Sequence, residues 1–174
     1  MINISDIDVF IFDFDGVLTN NLVYLDQNGK ESVSCNRGDG VAFDALRKIK
    51  KLSYIVSTEI NPVVKERAKK LRISALHGVN NKVEALNMLA NKYQFDLSKV
   101  MYVGNDINDY YAMLACGFSA CPSDSHKEIK SIADIILKTR GGDGVVRELL
   151  EDALDLNLIK ILYEDKSKIG RAHV

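Results

Sequence analysis

Four apolar runs of strand length, residues 9–12, 54–56, 100–103 and 135–137, recur along the chain. Between them lie stretches with helical spacing, among them GVAFDALRKIKK, NPVVKERAKKL, NKVEALNMLANKY and DYYAMLACG. Strand and helix alternating in this way predict an α/β fold: a doubly wound parallel sheet covered by helices on both faces, with ligands gathering beyond the carboxyl ends of the strands. One segment breaks the alternation. LVYLDQNGKESVSC, residues 22–35, has two strand-like arms around Asn28-Gly29, a pairing suited to a tight turn, and reads as a projecting β-hairpin. At 174 residues there is room for one domain, residues 1–160, and none for a large cap domain. The glycine-rich GGDG leads into a last helix, and residues 161–174 have little pattern and are expected to form a flexible tail.

Charge narrows the classes of ligand. With 23 Lys plus Arg against 24 Asp plus Glu, the net charge of -1 provides no basic footprint for nucleic acid and no polybasic anchor for a membrane. The N-terminal MINISDID lacks the marks of a secretory signal and no window reaches membrane-span length, so a cytoplasmic protein is expected. Cys35, Cys116 and Cys121 are odd in number and lack C-x-x-C spacing, and His77, His126 and His173 lack metal-ligand spacing; all six read as packing or surface residues.

The polar residues at the strand ends carry the chemistry. Asp13 and Asp15 end the first apolar run one residue apart, a crowding of carboxylates that calls for a cation nearby. Ser57 follows YIV, Lys82 opens the helix after ALHGVNN, and GNDIND follows VMYV. In a doubly wound sheet these points converge, and the set suits phosphoryl transfer. One carboxylate attacks phosphorus, and its neighbour protonates the leaving oxygen and then activates water. A hydroxyl and a lysine hold the phosphoryl oxygens, and Mg²⁺, which prefers oxygen ligands, neutralises acids and phosphate together.

DFDGVLT, Ser57, Lys82 and GNDIND, in that order, resemble the haloacid dehalogenase superfamily of phosphatases over about residues 9–150. Small size, a hairpin in place of a cap, CNRGDGVAF and GGDGVVREL are similar to the subgroup acting on 3-deoxy-2-keto sugar acid phosphates. The resemblance implies that Asp13 is nucleophile and metal ligand, and that Asp15 is general acid and base and a metal ligand through its main-chain carbonyl. It implies phosphate binding by Ser57 and Lys82, and a substrate-side loop at Asn36, Asp39 and Gly40. It also implies a homotetramer in which a neighbouring subunit completes the site.

Two departures from the pattern bear on substrate and metal. Octulosonate 8-phosphate phosphatases have T-G-R after the second strand, whereas this chain has Ser57-Thr58-Glu59. STEINPVVKERAKK resembles instead the nononate 9-phosphate enzymes and the phosphatase-type domain of some acylneuraminate cytidylyltransferases. That likeness makes Thr58, Glu59, Arg67 and Lys70 substrate-binding residues and favours a nine-carbon sugar acid, with the eight-carbon acid as the alternative. The usual G-D-D has become Gly104-Asn105-Asp106, so Asn105 and Asp106 are the expected further metal ligands, with Asp109 in reach directly or through water. A noncatalytic oligomerisation domain, its metal chemistry disabled at Asn105, is the competing reading.

Overall fold

The computed structural model describes residues 2–164. In chain order its elements are β1 (Val9–Phe12), β2 (Tyr24–Leu25), β3 (Glu31–Ser32), α1 (Arg37–Lys48), β4 (Leu52–Val56), α2 (Val63–Leu71), β5 (Ser74–Leu76) and α3 (Lys82–Tyr93). There follow β6 (Val100–Val103), α4 (Tyr110–Ala115), β7 (Phe118–Cys121), α5 (Lys127–Ile132), β8 (Ile135–Ile136), α6 (Val145–Glu148) and α7 (Leu158–Tyr163). Six strands form one sheet in the order β5-β4-β1-β6-β7-β8, every neighbouring pair parallel. β1 lies at the point where the strand order reverses, with β4 on one side and β6 on the other. In such sheets the crevice beyond the carboxyl end of that strand is the natural ligand site, and Asp13 is the next residue.

Side chains alternate across a strand, and β1 shows why all four of its residues are apolar. Phe10 and Phe12 pack with Phe43 and Leu46 of α1, Val64 and Ala68 of α2, Val145 and Val146 of α6 and Leu158 of α7. Val9 and Ile11 face the opposite way, toward Ala85, Leu86 and Leu89 of α3, Ala112 and Met113 of α4 and Ile129 of α5. Two helical layers therefore clamp the sheet and fix the strand ends against each other.

β5 and β7 are strands that the apolar runs do not announce. The sequences SAL and FSAC are short and poor in β-branched residues, and they are strands because β4 and β6 offer free edges to pair with.

The hairpin pairs Tyr24 with Ser32 and Leu25 with Glu31, and Asn28-Gly29 lie in its turn. Asp26 N donates to Lys30 O and Gly29 N to Asp26 O, enclosing a three-residue loop in which only Gly29 (φ 76°) takes a positive φ. Asp26 decides the loop length: its Oδ1 accepts from Asn28 N and Lys30 N, each at 2.9 Å.

At the other end, α6 continues into a π-helical turn, Leu149–Ala153, before α7. Regular structure thus passes the boundary read at residue 160 and reaches Tyr163, and most of the expected tail lies outside the described residues.

Candidate active site

Asp13 extends β1 by one more ladder bond, its N–H donating to Val103 O (2.9 Å), so the sheet itself holds the residue. Its side chain is buried, and Oδ1 accepts from Phe14 N (2.7 Å) and from Lys82 Nζ (2.9 Å). Lys82 is the first residue of α3, placed there by Asn81, whose side chain accepts from Val83 N and Glu84 N as the N-cap. The same ammonium lies 2.6 Å from Asp109 Oδ1. Asp109 is wholly buried and every lone pair direction is engaged: Tyr102 donates its hydroxyl to Oδ1 (2.8 Å), while Asn105 N (2.9 Å) and Asp106 N (3.3 Å) donate to Oδ2. Asp109 therefore positions Lys82 and the GND turn. With four donors on its two oxygens, it has no free lone pair to offer a metal, although its spacing suggested that reach.

One ammonium cannot neutralise two buried carboxylates. Burial first, and then the Asp109 charge, push the Asp13 carboxyl up to about 8 even though Lys82 draws it down. For Lys82 burial works against the charge, but Asp13 and Asp109 outweigh it and the ammonium is held above its ordinary value. With both carboxylates ionised, as a nucleophilic Asp13 requires, the site lacks one positive charge.

Asp15 lies on the next turn, half-buried. Burial, followed by the Glu59 charge, raises its pKa against the hydrogen bond from Thr19, which favours the protonated form that a proton donor needs. Gly16 (φ 80°) occupies a backbone conformation that favours glycine, and a Cβ there would overlap the Asn105 amide. Thr19 Oγ1 closes this turn by accepting from Gly16 N and Asn21 N, each at 3.2 Å. Outside it lies GGDG: Gly142 N donates to Val17 O (3.0 Å), and a Cβ on Gly141 would overlap Gly16 O. The glycine pair, beyond leading into the last helix, lets one loop buttress the turn that carries Asp15.

Ser57 directly follows β4, buried, with its N–H on Leu76 O and its own carbonyl accepting from Val79 N. Ser57 Oγ accepts from Glu59 N (3.1 Å), which leaves the hydroxyl proton free to donate. Asp13, Asp15, Ser57, Thr58, Asn105 and Asp106 line one pocket of about 120 Å³, with Asn21, Ile107 and Asn108 completing its wall. Lys82 reaches it from beneath through Asp13. The last three wall residues were not singled out in the sequence, although Asn21 holds a left-handed conformation (φ 64°) that asparagine tolerates.

An oxygen-only donor set is available here. Asn105 Oδ1 is buried and has no hydrogen-bond partner. Together with the Asp13 carboxylate and the Asp15 main-chain carbonyl it matches what Mg²⁺ takes. Asp106 is exposed and spends Oδ1 on Ile107 N (2.7 Å), capping the turn Ile107–Asp109. Among the described residues no three His, Cys, Asp or Glu side chains gather as a metal site.

Residues 39–149 match the haloacid dehalogenase-like hydrolase family. The chain belongs to that family. It is 31% identical over 152 residues to the 3-deoxy-D-manno-octulosonate 8-phosphate phosphatase KdsC of Escherichia coli (strain B / BL21-DE3), covering 87% of this chain and 81% of that one. A Streptomyces avermitilis structure described as a HAD family hydrolase shares 38% identity at a TM-score of 0.85, over 89% of this chain and 91% of that one. The Moraxella catarrhalis octulosonate 8-phosphate phosphatase, solved with magnesium ion, phosphate ion and KDO, shares 28% identity at a TM-score of 0.81, over 90% and 87%. As a haloacid dehalogenase-like hydrolase of this type, the protein is a phosphomonoesterase.

Within this hydrolase the remaining expected residues divide. Glu59 lines a second, narrower cleft under the hairpin with Asp15, Glu31 and Asn61, and its Oε1 accepts from Asn61 N (2.7 Å). Asn36 caps α1 through Gly38 N (2.7 Å), and its main-chain carbonyl accepts from Arg67 Nη2 (2.7 Å). Asp39 is buried under α6, its Oδ1 accepting from Val146 N (3.0 Å) and Arg147 N (3.4 Å). Gly40 packs near Leu71, and Lys70 is exposed. Asn36, Asp39, Gly40, Arg67 and Lys70 do not line the Asp13 pocket of their own chain.

Proposed function

We propose that the protein is a Mg²⁺-dependent phosphatase that hydrolyses the phosphate monoester of a 2-keto-3-deoxy sugar acid, with nine-carbon 9-phosphates favoured. The observation that carries this reading is Lys82 on Asp13 at 2.9 Å, at the floor of a pocket that also holds Asp15, Ser57 and the partnerless Asn105 oxygen. Asp13 Oδ attacks phosphorus in line while the bond to the sugar oxygen breaks, and Asp15 gives its proton to that oxygen. Asp15, now a carboxylate, takes a proton from a water that attacks the aspartyl phosphate, which releases phosphate and restores Asp13. Ser57 donates to a phosphoryl oxygen, and Lys82 offsets the charge that develops there. Mg²⁺, held by Asp13, the Asp15 carbonyl and Asn105 with Asp106 nearby, supplies the missing positive charge, as the magnesium in the Moraxella catarrhalis relative suggests.

Glu59 supports the nine-carbon preference. It places a carboxylate in the cleft next to Asp15, where hydroxyl groups of a longer polyol chain find acceptors and a sugar carboxylate does not. The KdsC relatives favour the eight-carbon substrate instead. In this reading Arg67 and Lys70 meet the sugar carboxylate from a neighbouring subunit of a homotetramer. The hairpin supports assembly, since Leu22, Val23, Tyr24 and Leu25 are each more than half exposed. Among the described residues no helix is long and apolar enough to cross a membrane.

The test is phosphate release with Mg²⁺ from 2-keto-3-deoxynononate 9-phosphate, N-acetylneuraminate 9-phosphate and 3-deoxy-manno-octulosonate 8-phosphate, with Asp13→Asn as control. A nine-carbon preference is expected, together with a tetramer by light scattering. Preference for the octulosonate removes the role given to Glu59. Silence on all three, with Asp13→Asn indistinguishable, transfers the weight to the assembly reading.

A further inference from the structure

Asn105 is held from three directions. Its N–H donates to Asp109 Oδ2 (2.9 Å), its main-chain carbonyl accepts from His126 N (2.9 Å), and its amide occupies the space that a side chain on Gly16 would need. Yet Oδ1 is buried without a partner. A buried acceptor left unmade costs free energy, and a fixed, unpaired oxygen in a ligand pocket is an offer to a cation or a donor.

The charges around that oxygen decide what accepts the offer. Of the groups able to reach a cation there, Asp15 contributes a neutral main-chain carbonyl and Asn105 a neutral amide, while the Asp13 charge is shared with Lys82. Asp106, at the exposed cap, has one oxygen on Ile107 N. A carboxylate at position 105 would add a negative charge beside the cation and strengthen its binding before any anion arrives. An amide leaves the cation under-neutralised until another anion arrives.

We propose that Asn105 makes cation binding conditional on the phosphoryl group: the divalent cation and the phosphate bind as a pair, each strengthening the other. The inference rests on the Mg²⁺ phosphatase reading above and adds an order of binding to it. Two opposite charges a few ångströms apart in a half-enclosed pocket attract strongly, and linkage requires the coupling to be equal in both directions. The consequence for catalysis is that metal loads with substrate and leaves with phosphate.

Calorimetric titration of the whole protein tests this without any measurement of turnover. Mg²⁺ is titrated with and without inorganic phosphate, and phosphate with and without Mg²⁺, corrected for their association in solution. Phosphate is expected to tighten Mg²⁺ binding by about ten-fold or more, and Mg²⁺ to tighten phosphate by the same factor. In Asn105→Asp, Mg²⁺ alone is expected to bind about ten-fold tighter than in the wild type, with the coupling reduced. Asn105→Ala, which adds no charge beside Asp13, is expected to weaken Mg²⁺ in both titrations and guards against a folding defect in the acidic variant. Mg²⁺ affinity independent of phosphate in the wild type, or unchanged titrations in both variants, overturns the inference while phosphate release from a substrate persists. Absence of Mg²⁺ binding in either titration, together with no phosphate release, overturns the phosphatase reading as well.

Discussion

Lys82 Nζ lies nearer to Asp109 Oδ1, at 2.6 Å, than to Asp13 Oδ1, at 2.9 Å. The lysine that faces the reacting group is anchored from behind by a carboxylate that never meets solvent, and the same carboxylate holds the main chain of Asn105 and Asp106. One buried side chain thus sets both the cation beneath Asp13 and the turn beside it. Asp109→Asn puts an amide donor among four donors; Lys82 keeps Asp13 as its partner, but each buried N–H or O–H donor left unpaired costs roughly 1–3 kcal/mol. Two such losses correspond to a fall in Tm on the order of 10 °C for a domain of this size. Phosphate release is expected to drop about 100-fold, because Lys82 loses its aim. Calorimetry and a phosphate-release assay check both; a variant with wild-type Tm and kcat would remove Asp109 from the positioning role.

Asp13→Asn is expected to separate stability from activity. The carboxyl is held up to about 8 by burial and by Asp109, so at neutral pH the metal-free native state retains a proton there that the unfolded chain has released, and folding is opposed by that uptake. An amide of the same shape is neutral in both states and removes this cost. Metal-free Tm should therefore rise by a few degrees, about 2–4 °C per kcal/mol gained, while phosphate release falls by roughly 10³-fold or more with the nucleophile gone. Adding Mg²⁺ should raise the Tm of the wild type more than that of the variant. A metal-free Tm below the wild type's would contradict the proton-uptake argument.

Asp39 gives the fold a pH dependence of known sign. Burial raises its carboxyl to about 6 from 3.8, against the lowering effect of the Arg147 and Val146 N–H groups and of Arg67, and its Oδ2 has no partner. Between those values the native state retains a proton that the unfolded chain has released, so this residue's contribution to stability falls as pH rises from about 4 to about 6 and is level above. The loss is at most about 3 kcal/mol, at 1.4 kcal/mol per unit. Urea titrations at pH 4 and pH 7 should show the stability difference between wild type and Asp39→Asn moving by up to that amount in favour of the variant. A difference that is constant with pH would mean the carboxyl titrates normally.

What the sequence revealed, and what it concealed, follows from where each signal resides. β1 and β6 are legible because both faces of a central strand must be apolar, and Asp13, Asp15, Ser57 and Lys82 are legible because each stands where an apolar or helical pattern stops. β5 and β7 were hidden, since their pairing partners and not their residues make them strands. Asp109 read as one more acid in GNDIND, and only its burial shows that four donors claim it. Asp39 had a place beside the hairpin in sequence but is tied to Val146, 107 residues away, a contact no local pattern encodes. Asn28-Gly29 marked the place of the hairpin turn, and its length is set by Asp26, outside the dipeptide.

Gly141 shows how a distant contact of this kind reaches the chemistry. Its backbone lies against Gly16 O and Thr19 O, on the turn that presents Asp15, and a Cβ would overlap the Gly16 carbonyl. That neighbour is main chain, held by Thr19 on one side and by the Asn105 amide on the other, so it cannot swing aside as a flexible side chain would. The overlap with Gly16 O is deep, so Gly141→Ala must move one loop or the other by about an ångström. Overpacking of this sort costs about 1–3 kcal/mol, and displacement of the proton donor lowers kcat by roughly 10–100-fold. Ser57 and Lys82, on β4 and α3, stay in place, so affinity for inorganic phosphate should change little. Measuring Tm, kcat and phosphate inhibition together distinguishes this from general unfolding: loss of kcat with phosphate affinity retained supports the buttress, whereas parallel loss of both would show that the loop supports the pocket as a whole and not Asp15 in particular.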